Sequence, residues 1–218
     1  MTIELSINGQ TVEVRDGASV LDAINQSGTY ISQLCKDPDM KPLGACRTCL
    51  VQIDGQRGFP ASCSIPASDG QIIWTTTPEV TEIRKGVIEL TLGMLSQNQD
   101  KNYEELSIAA AHHDISTPSW NGRSREPTDS SNPIFEIAMD SCILCGRCAK
   151  ACQDGAQFIG AIDVLGTGTN SRIGTFMDRP LIESVCTTCG QCLSVCPTGA
   201  IEVKAGSGSP IKSVTTTC

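Results

Sequence analysis

CILCGRCAKAC at residues 142–152 and CTTCGQCLSVCP at residues 186–197 decide how this 218-residue chain is read. Each run follows C-x2-C-x2-C-x3-C, through Cys142, Cys145, Cys148 and Cys152 in the first and Cys186, Cys189, Cys192 and Cys196 in the second. Two similar runs in one chain are an internal repeat. The spacing has a physical basis. Three cysteines two residues apart wrap one iron–sulfur cubane corner by corner, with backbone amides pointing at its sulfurs. The fourth lies on the following helical turn and reaches the other cubane. This predicts one [4Fe–4S] cluster on Cys142, Cys145, Cys148 and Cys196, and a second on Cys186, Cys189, Cys192 and Cys152. Zinc is the competing reading, because zinc sites also use C-x2-C pairs. Zinc sites often take two such pairs separated by a longer loop, whereas here each run supplies three close thiolates and a fourth. Pro197 follows the second run and Gln153 the first, a difference expected to alter the local turn and not the ligation.

Upstream lies a third group, Cys35, Cys46, Cys49 and Cys63, spaced C-x10-C-x2-C-x13-C. The plant-type [2Fe–2S] pattern is C-x4-C-x2-C…C. The first gap is longer here, but KPLGACRTC keeps the small residues Gly44 and Ala45 beside the pair, which lets backbone amides approach cluster sulfurs. A [2Fe–2S] site is expected, against zinc or four unrelated thiols. The flanks support it. Thr2–Ile7 and Thr11–Val14 read as strands around an Asn8-Gly9 turn of type I′. Ser19 to Ser27 reads as a short helix closed by Gly28. Leu50–Ile53 and Gln71–Thr75 read as further strands, and the whole as a small β-grasp sheet.

Residues 78–95 form the clearest predicted helix, capped by Thr77, with Val80, Ile83, Val87, Leu90 and Met94 as its core stripe. Residues 96–132 are polar and irregular, with one short helix expected near Glu104–Ala111. Phe158–Val164 and Arg172–Phe176 suggest a hairpin around GTGTN. The predicted class is α+β, with a β-grasp [2Fe–2S] domain over 1–77, a helical connector over 78–132, a bacterial-type 2[4Fe–4S] domain over 133–204 and a linker over 205–218.

Aromatic residues make up only 4% of the chain while it holds thirteen cysteines, so metal-stabilised modules are expected to help hold the fold. MTIELSINGQ has neither a basic n-region nor an apolar run, and no stretch reaches the roughly 18 apolar residues of a membrane helix. A cytoplasmic, reducing setting without a membrane span is expected, where cysteines serve as ligands more than as disulfides. The net charge of −8 argues against nucleic acid. There is no P-loop, no G-x-G-x-x-G in a βα context and no Ser/His/Asp set, so no catalytic residue is assigned. His112 and His113 read as a solvated surface pair, since no cysteine lies between Cys63 and Cys142 to complete a His/Cys site. Cys218 stands alone at the last position, either a free thiol or the first ligand of a further cluster.

The order β-grasp [2Fe–2S], connector, paired ferredoxin motif resembles the N-terminal part of the large iron–sulfur subunit of complex I. The same part recurs in NAD-reducing and iron-only hydrogenases and in NAD-dependent formate dehydrogenases. In that family Cys35, Cys46, Cys49 and Cys63 match the [2Fe–2S] ligands, and the two later runs match the [4Fe–4S] pair. Members often carry an extra one-His, three-Cys cluster after the long helix. LSQNQDKNYEELS has no cysteine, so that cluster is expected to be missing. The tail IKSVTTTC, after CPTGAI, resembles the entry to the molybdopterin domain of formate dehydrogenase α subunits. The resemblance implies a relay of single electrons between a formate-oxidising molybdopterin centre and a flavin subunit that reduces NAD. The runner-up context is the diaphorase small subunit of an NAD-reducing hydrogenase. A regulatory metal-binding module and a free ferredoxin are further alternatives.

Overall fold

The computed structural model describes residues 1–95, 103–119, 128–155 and 157–204. The chain divides into two compact units, Met1–Gly93 with Glu104–Gly122, and Met94–Tyr103 with Arg123–Cys218.

The first unit begins with a hairpin of β1 (Thr2–Ile7) and β2 (Gln10–Arg15). Asn8 and Gly9 both take positive φ, 51° and 86°, as a type I′ turn requires. Alternation along the strands turns Leu5, Ile7, Val12 and Val14 inward. Helix α1 (Val20–Gln26) crosses next, its start held by a reciprocal capping box between Ser19 and Asp22. Val20, Leu21, Ala23 and Ile24 on α1 are buried. Two short strands complete the sheet: β4 (Ile72–Trp74) runs parallel to β1, and β3 (Gln52–Ile53) antiparallel to β4, in the order β2-β1-β4-β3. Both are shorter than the sequence suggests; ahead of β3, Leu50 makes only an isolated bridge with Ala61 where the cysteine loop leaves the sheet.

Helix α2 (Pro78–Gly93) starts where Thr77 accepts from the amide of Val80 at 3.4 Å. Its inward face is not the expected one. Val80, Arg84, Ile88 and Thr91 are buried, whereas Ile83 and Leu90 are exposed and Val87 and Met94 half-buried. The hydrophobic pattern fails because a cation, Arg84, occupies the interior. Helix α3 (Glu104–His112) packs on α2, and Leu106, Ala109 and Ala110 on it are buried. Only half of the histidine pair is solvated. His112 is exposed and its ring lies against that of Tyr30, tilted by 56° with centroids 4.6 Å apart, while His113 is 7% exposed. Burial, then the nearby Arg84 cation, pull the His113 pKa down to about 4.

The second unit is framed by β5 (Phe135–Ile137) and β8 (Ile201–Val203), an antiparallel pair that brings the two ends of the cysteine repeat together. Between them run α4 (Arg147–Asp154), the hairpin β6 (Ile162–Leu165) and β7 (Arg172–Thr175), and α5 (Gln191–Ser194). Phe135, Met139, Leu181 and Ile201 form its core with Cys142 and Cys148. Among the described residues no helix is long and apolar enough to cross a membrane. Residues 96–102, within the segment expected to lack the extra cluster, and the tail with Cys218 lie outside the described residues.

Two outcomes follow for the full chain. Ile88→Ala should cost about 2–5 kcal/mol of unfolding free energy in a denaturant titration followed by circular dichroism, whereas Ile83→Ala should cost under about 0.5 kcal/mol. The pH slope has a definite sign. Folded His113 stays neutral down to about pH 4 while an unfolded histidine takes a proton near 6.5, so the unfolded state binds more protons between these values. Stability from this group is present above pH 6.5 and is lost as pH falls toward 4. His113→Gln should therefore flatten the rise of melting temperature measured from pH 5 to 6.5.

Candidate metal centres

All twelve described cysteines are free thiols, and they fall into three groups of four. In the first unit the long loop after α1 carries Cys35, Cys46 and Cys49, and a single helical turn over Ser62–Ser64 carries Cys63. These thiols stand as two hydrogen-bonded pairs, Cys35 with Cys46 and Cys49 with Cys63. The shared proton within each pair separates their acidities. The Cys46 thiol holds Cys35 down at about 6 while Cys46 itself is pushed up; Cys49 likewise holds Cys63 down at about 6 and is pushed up in turn. The loop aims its own donors at the sulfurs. The amides of Cys46 and Ala45 point at Cys35, and that of Gly44 at Cys63. Gly44 has φ 63°, and a Cβ there would come within 3.0 Å of Ser64 Oγ. Hydroxyls add to this, Thr48 Oγ1 at 3.2 Å from Cys46 Sγ and Ser64 Oγ at 3.4 Å from Cys63 Sγ.

In the second unit the two runs share one local geometry. Leu144 and Thr188, each one residue before the second cysteine, have φ of 53° and 58°. Such a backbone is costly for a side chain with Cβ, and it turns the amide of Leu144 onto Cys142 Sγ at 3.3 Å and that of Thr188 onto Cys186 Sγ at 3.4 Å. Gly146 and Gly190 follow in the left-handed region, φ 78° and 76°, and start α4 and α5. Helix geometry then sets Cys148 and Cys152 one turn apart on α4.

The cavities are lined across the repeat, not within it. One has Cys142, Cys145, Cys148 and Cys196 on its wall with Ile137, Ile173 and Ile201. The other has Cys186, Cys189, Cys192 and Cys152 with Phe135, Ile162 and Leu181. Burial, followed by neighbouring thiolates, pushes Cys145 and Cys192 up to about 12 and Cys148 well above its ordinary value. The two sites differ in depth: Cys142, Cys145 and Cys148 are buried, whereas Cys189 is exposed. The amide of Ala161 donates to Cys152 Sγ at 3.2 Å, a contact supplied by the stretch leading into β6. Sequence spacing alone did not reveal Leu144, Thr188, Ala161, Thr48 or Arg84, none of which carries a ligand signature.

Among the described residues no three Cys, His, Asp or Glu side chains converge as a site for a single metal ion. The donor set suits a core of several irons, whose thiolates attach to different corners. The buried thiols that resist ionisation, Cys46, Cys49, Cys145, Cys148 and Cys192, suit a positive core that deprotonates them.

Comparison with known proteins agrees. Residues 1–78 match the 2Fe-2S iron-sulfur cluster binding domain, and residues 141–200 match the 4Fe-4S dicluster domain. The chain thus joins two ferredoxin-type iron–sulfur domains, one of the 2Fe-2S kind and one of the 4Fe-4S dicluster kind. It is 31% identical, over 94% of its length, to the probable oxidoreductase YjgC of Bacillus subtilis (strain 168). It is also 31% identical to the HndD component of the NADP-reducing hydrogenase of Solidesulfovibrio fructosivorans and to a component of the NADH-quinone oxidoreductase of Rickettsia prowazekii (strain Madrid E), over 91% and 93% of the chain. It spans only 21%, 36% and 30% of those three relatives. A chain in a crystal structure of an NAD+-reducing [NiFe]-hydrogenase in the H2-reduced state superposes with a TM-score of 0.82 at 25% identity, covering 96% of this chain and 91% of that one.

Proposed function

We propose that the chain is a three-cluster electron relay. Cys35, Cys46, Cys49 and Cys63 hold a [2Fe–2S] cluster in a β-grasp domain over residues 1–77. Cys142, Cys145, Cys148 and Cys196 hold one [4Fe–4S] cluster, and Cys186, Cys189, Cys192 and Cys152 the other, in a domain over residues 133–204. The carrying observation is the crossed grouping in the second unit, where Cys196 joins the first run and Cys152 the second. Three thiols from one run with the fourth from the other is the two-cluster ferredoxin pattern, whereas zinc sites take C-x2-C pairs two and two. The two thiol pairs of the first unit give further support, because each tetrahedral iron of a two-iron core takes two thiolates.

When bound, the clusters accept and release one electron at a time. The chain positions them, donates amide hydrogens to their thiolates and closes apolar walls around them, and these factors set their potentials. The exposed Cys189 makes the second [4Fe–4S] site the natural point of electron exchange with a partner. Apolar side chains in that unit stand exposed as a subunit contact would require, among them Phe158, Phe176 and Val185, which adjoins Cys186.

The partner is proposed to be a flavin and iron–sulfur subunit that exchanges electrons with NAD. Two contexts remain in play. The nearly end-to-end match to a chain of an NAD+-reducing hydrogenase supports the diaphorase small subunit. Formate oxidation at a molybdopterin centre rests on the IKSVTTTC tail alone. The relay itself is tested by EPR on the dithionite-reduced full chain. Cys189→Ala should remove or convert one [4Fe–4S] signal and leave the [2Fe–2S] signal intact; loss of neither [4Fe–4S] signal would contradict the assignment.

A further inference from the structure

Arg84 is 3% exposed inside the first unit, and a buried cation costs several kcal/mol unless an anion faces it. Its Nη2 donates to the carbonyl of Thr75 at the end of β4, while its Nε has no partner. Thr75 is itself fixed by Asn8, whose side chain donates to Thr75 Oγ1 and accepts from the Thr75 amide, both at 2.8 Å. Among the described residues Arg84 forms no ion pair with a carboxylate. The acidic groups near enough to act on it are the Cys49 thiol and the Tyr30 phenol. Burial pushes the Tyr30 pKa further up, so that phenol supplies no anion at neutral pH. Val80, one turn earlier on the same face of α2, packs in the same core cluster as Cys49 and Cys63. His113, also within reach of Arg84, is buried with an unpartnered Nδ1.

We propose that Arg84 is the electrostatic counter-charge of the [2Fe–2S] centre, a positioning residue that acts through the Cys49 thiolate and favours the centre's reduced state. This rests on the cluster assignment above. A two-iron core with four thiolates is a net anion, and reduction adds one further negative charge. A fixed buried cation stabilises the more negative state more strongly. Low local dielectric keeps that effect large and weakly screened by salt. The arrangement also explains why a guanidinium displaces an apolar residue from the inner face of α2.

The test is an EPR-monitored redox titration of the anaerobically loaded full chain. Arg84→Met should lower the equilibrium constant for one-electron reduction of the [2Fe–2S] centre about tenfold, a shift of about 59 mV. Arg84→Lys should hold it within about threefold, because the charge remains. The two [4Fe–4S] potentials serve as internal controls and should not move. His113→Asp places an anion beside the intact Arg84 and should shift the [2Fe–2S] potential the same way as Arg84→Met, so the result does not depend on that variant folding. An unmoved [2Fe–2S] potential in Arg84→Met, or in His113→Asp where Arg84→Met does not load, overturns the inference. Equal shifts in Arg84→Lys and Arg84→Met would assign the residue to packing alone and also overturn it. A wild-type chain without any [2Fe–2S] signal would instead refute the cofactor assignment.

Discussion

Four sulfurs crowded into one small cavity repel one another once ionised, and burial makes ionisation harder still at Cys145 and Cys148. Cys148 is walled in there with Cys142, Cys145 and Cys196. Only a positive core placed among such thiolates turns this penalty into cohesion. The rest of the chain can be understood from that constraint. It explains how each of two units can fold in a protein with only 4% aromatic residues. It also explains why backbone amides at Leu144, Thr188, Ala161 and Gly44 are aimed at sulfur.

The two units meet the constraint differently. In the first, a sheet and α1 form an apolar core, and one loop lays three cysteines over its edge while a distant turn returns the fourth. In the second, two separate two-stranded pairs replace the four-stranded sheet, and the cysteine runs lie between them and on short helices. The β5–β8 pair closes the ring so that Cys196 arrives at the cavity of the first run. Strain at Leu144 and Thr188, of the order of 1 kcal/mol each, is tolerated where it aims an amide at a cysteine sulfur.

Much of the grouping of thiols was legible in the sequence because cysteine spacing is a direct pattern. The eight-cysteine repeat, the four upstream cysteines and the hairpin around Asn8-Gly9 all stand where the order of residues places them. Other features were not legible, for identifiable reasons. The three-residue strands β5 and β8 are too short to show an alternating period. Positive φ at Leu144 and Thr188 has no residue signature, since nothing but the sulfur beside each demands it. The inner face of α2 departs from the pattern because hydrophobic periodicity assumes apolar interiors, and there the interior holds Arg84. His113 follows it inward, although its neighbour His112 faces solvent. Departures from pattern thus gather where charge is buried near a candidate centre.

The most direct test of the account is the iron and acid-labile sulfide content of the full chain purified without oxygen. Twelve thiolates around one two-iron and two four-iron cores predict about ten irons and about ten sulfides per chain, in brown material. Colourless protein carrying zinc in place of iron, with no labile sulfide, would contradict it.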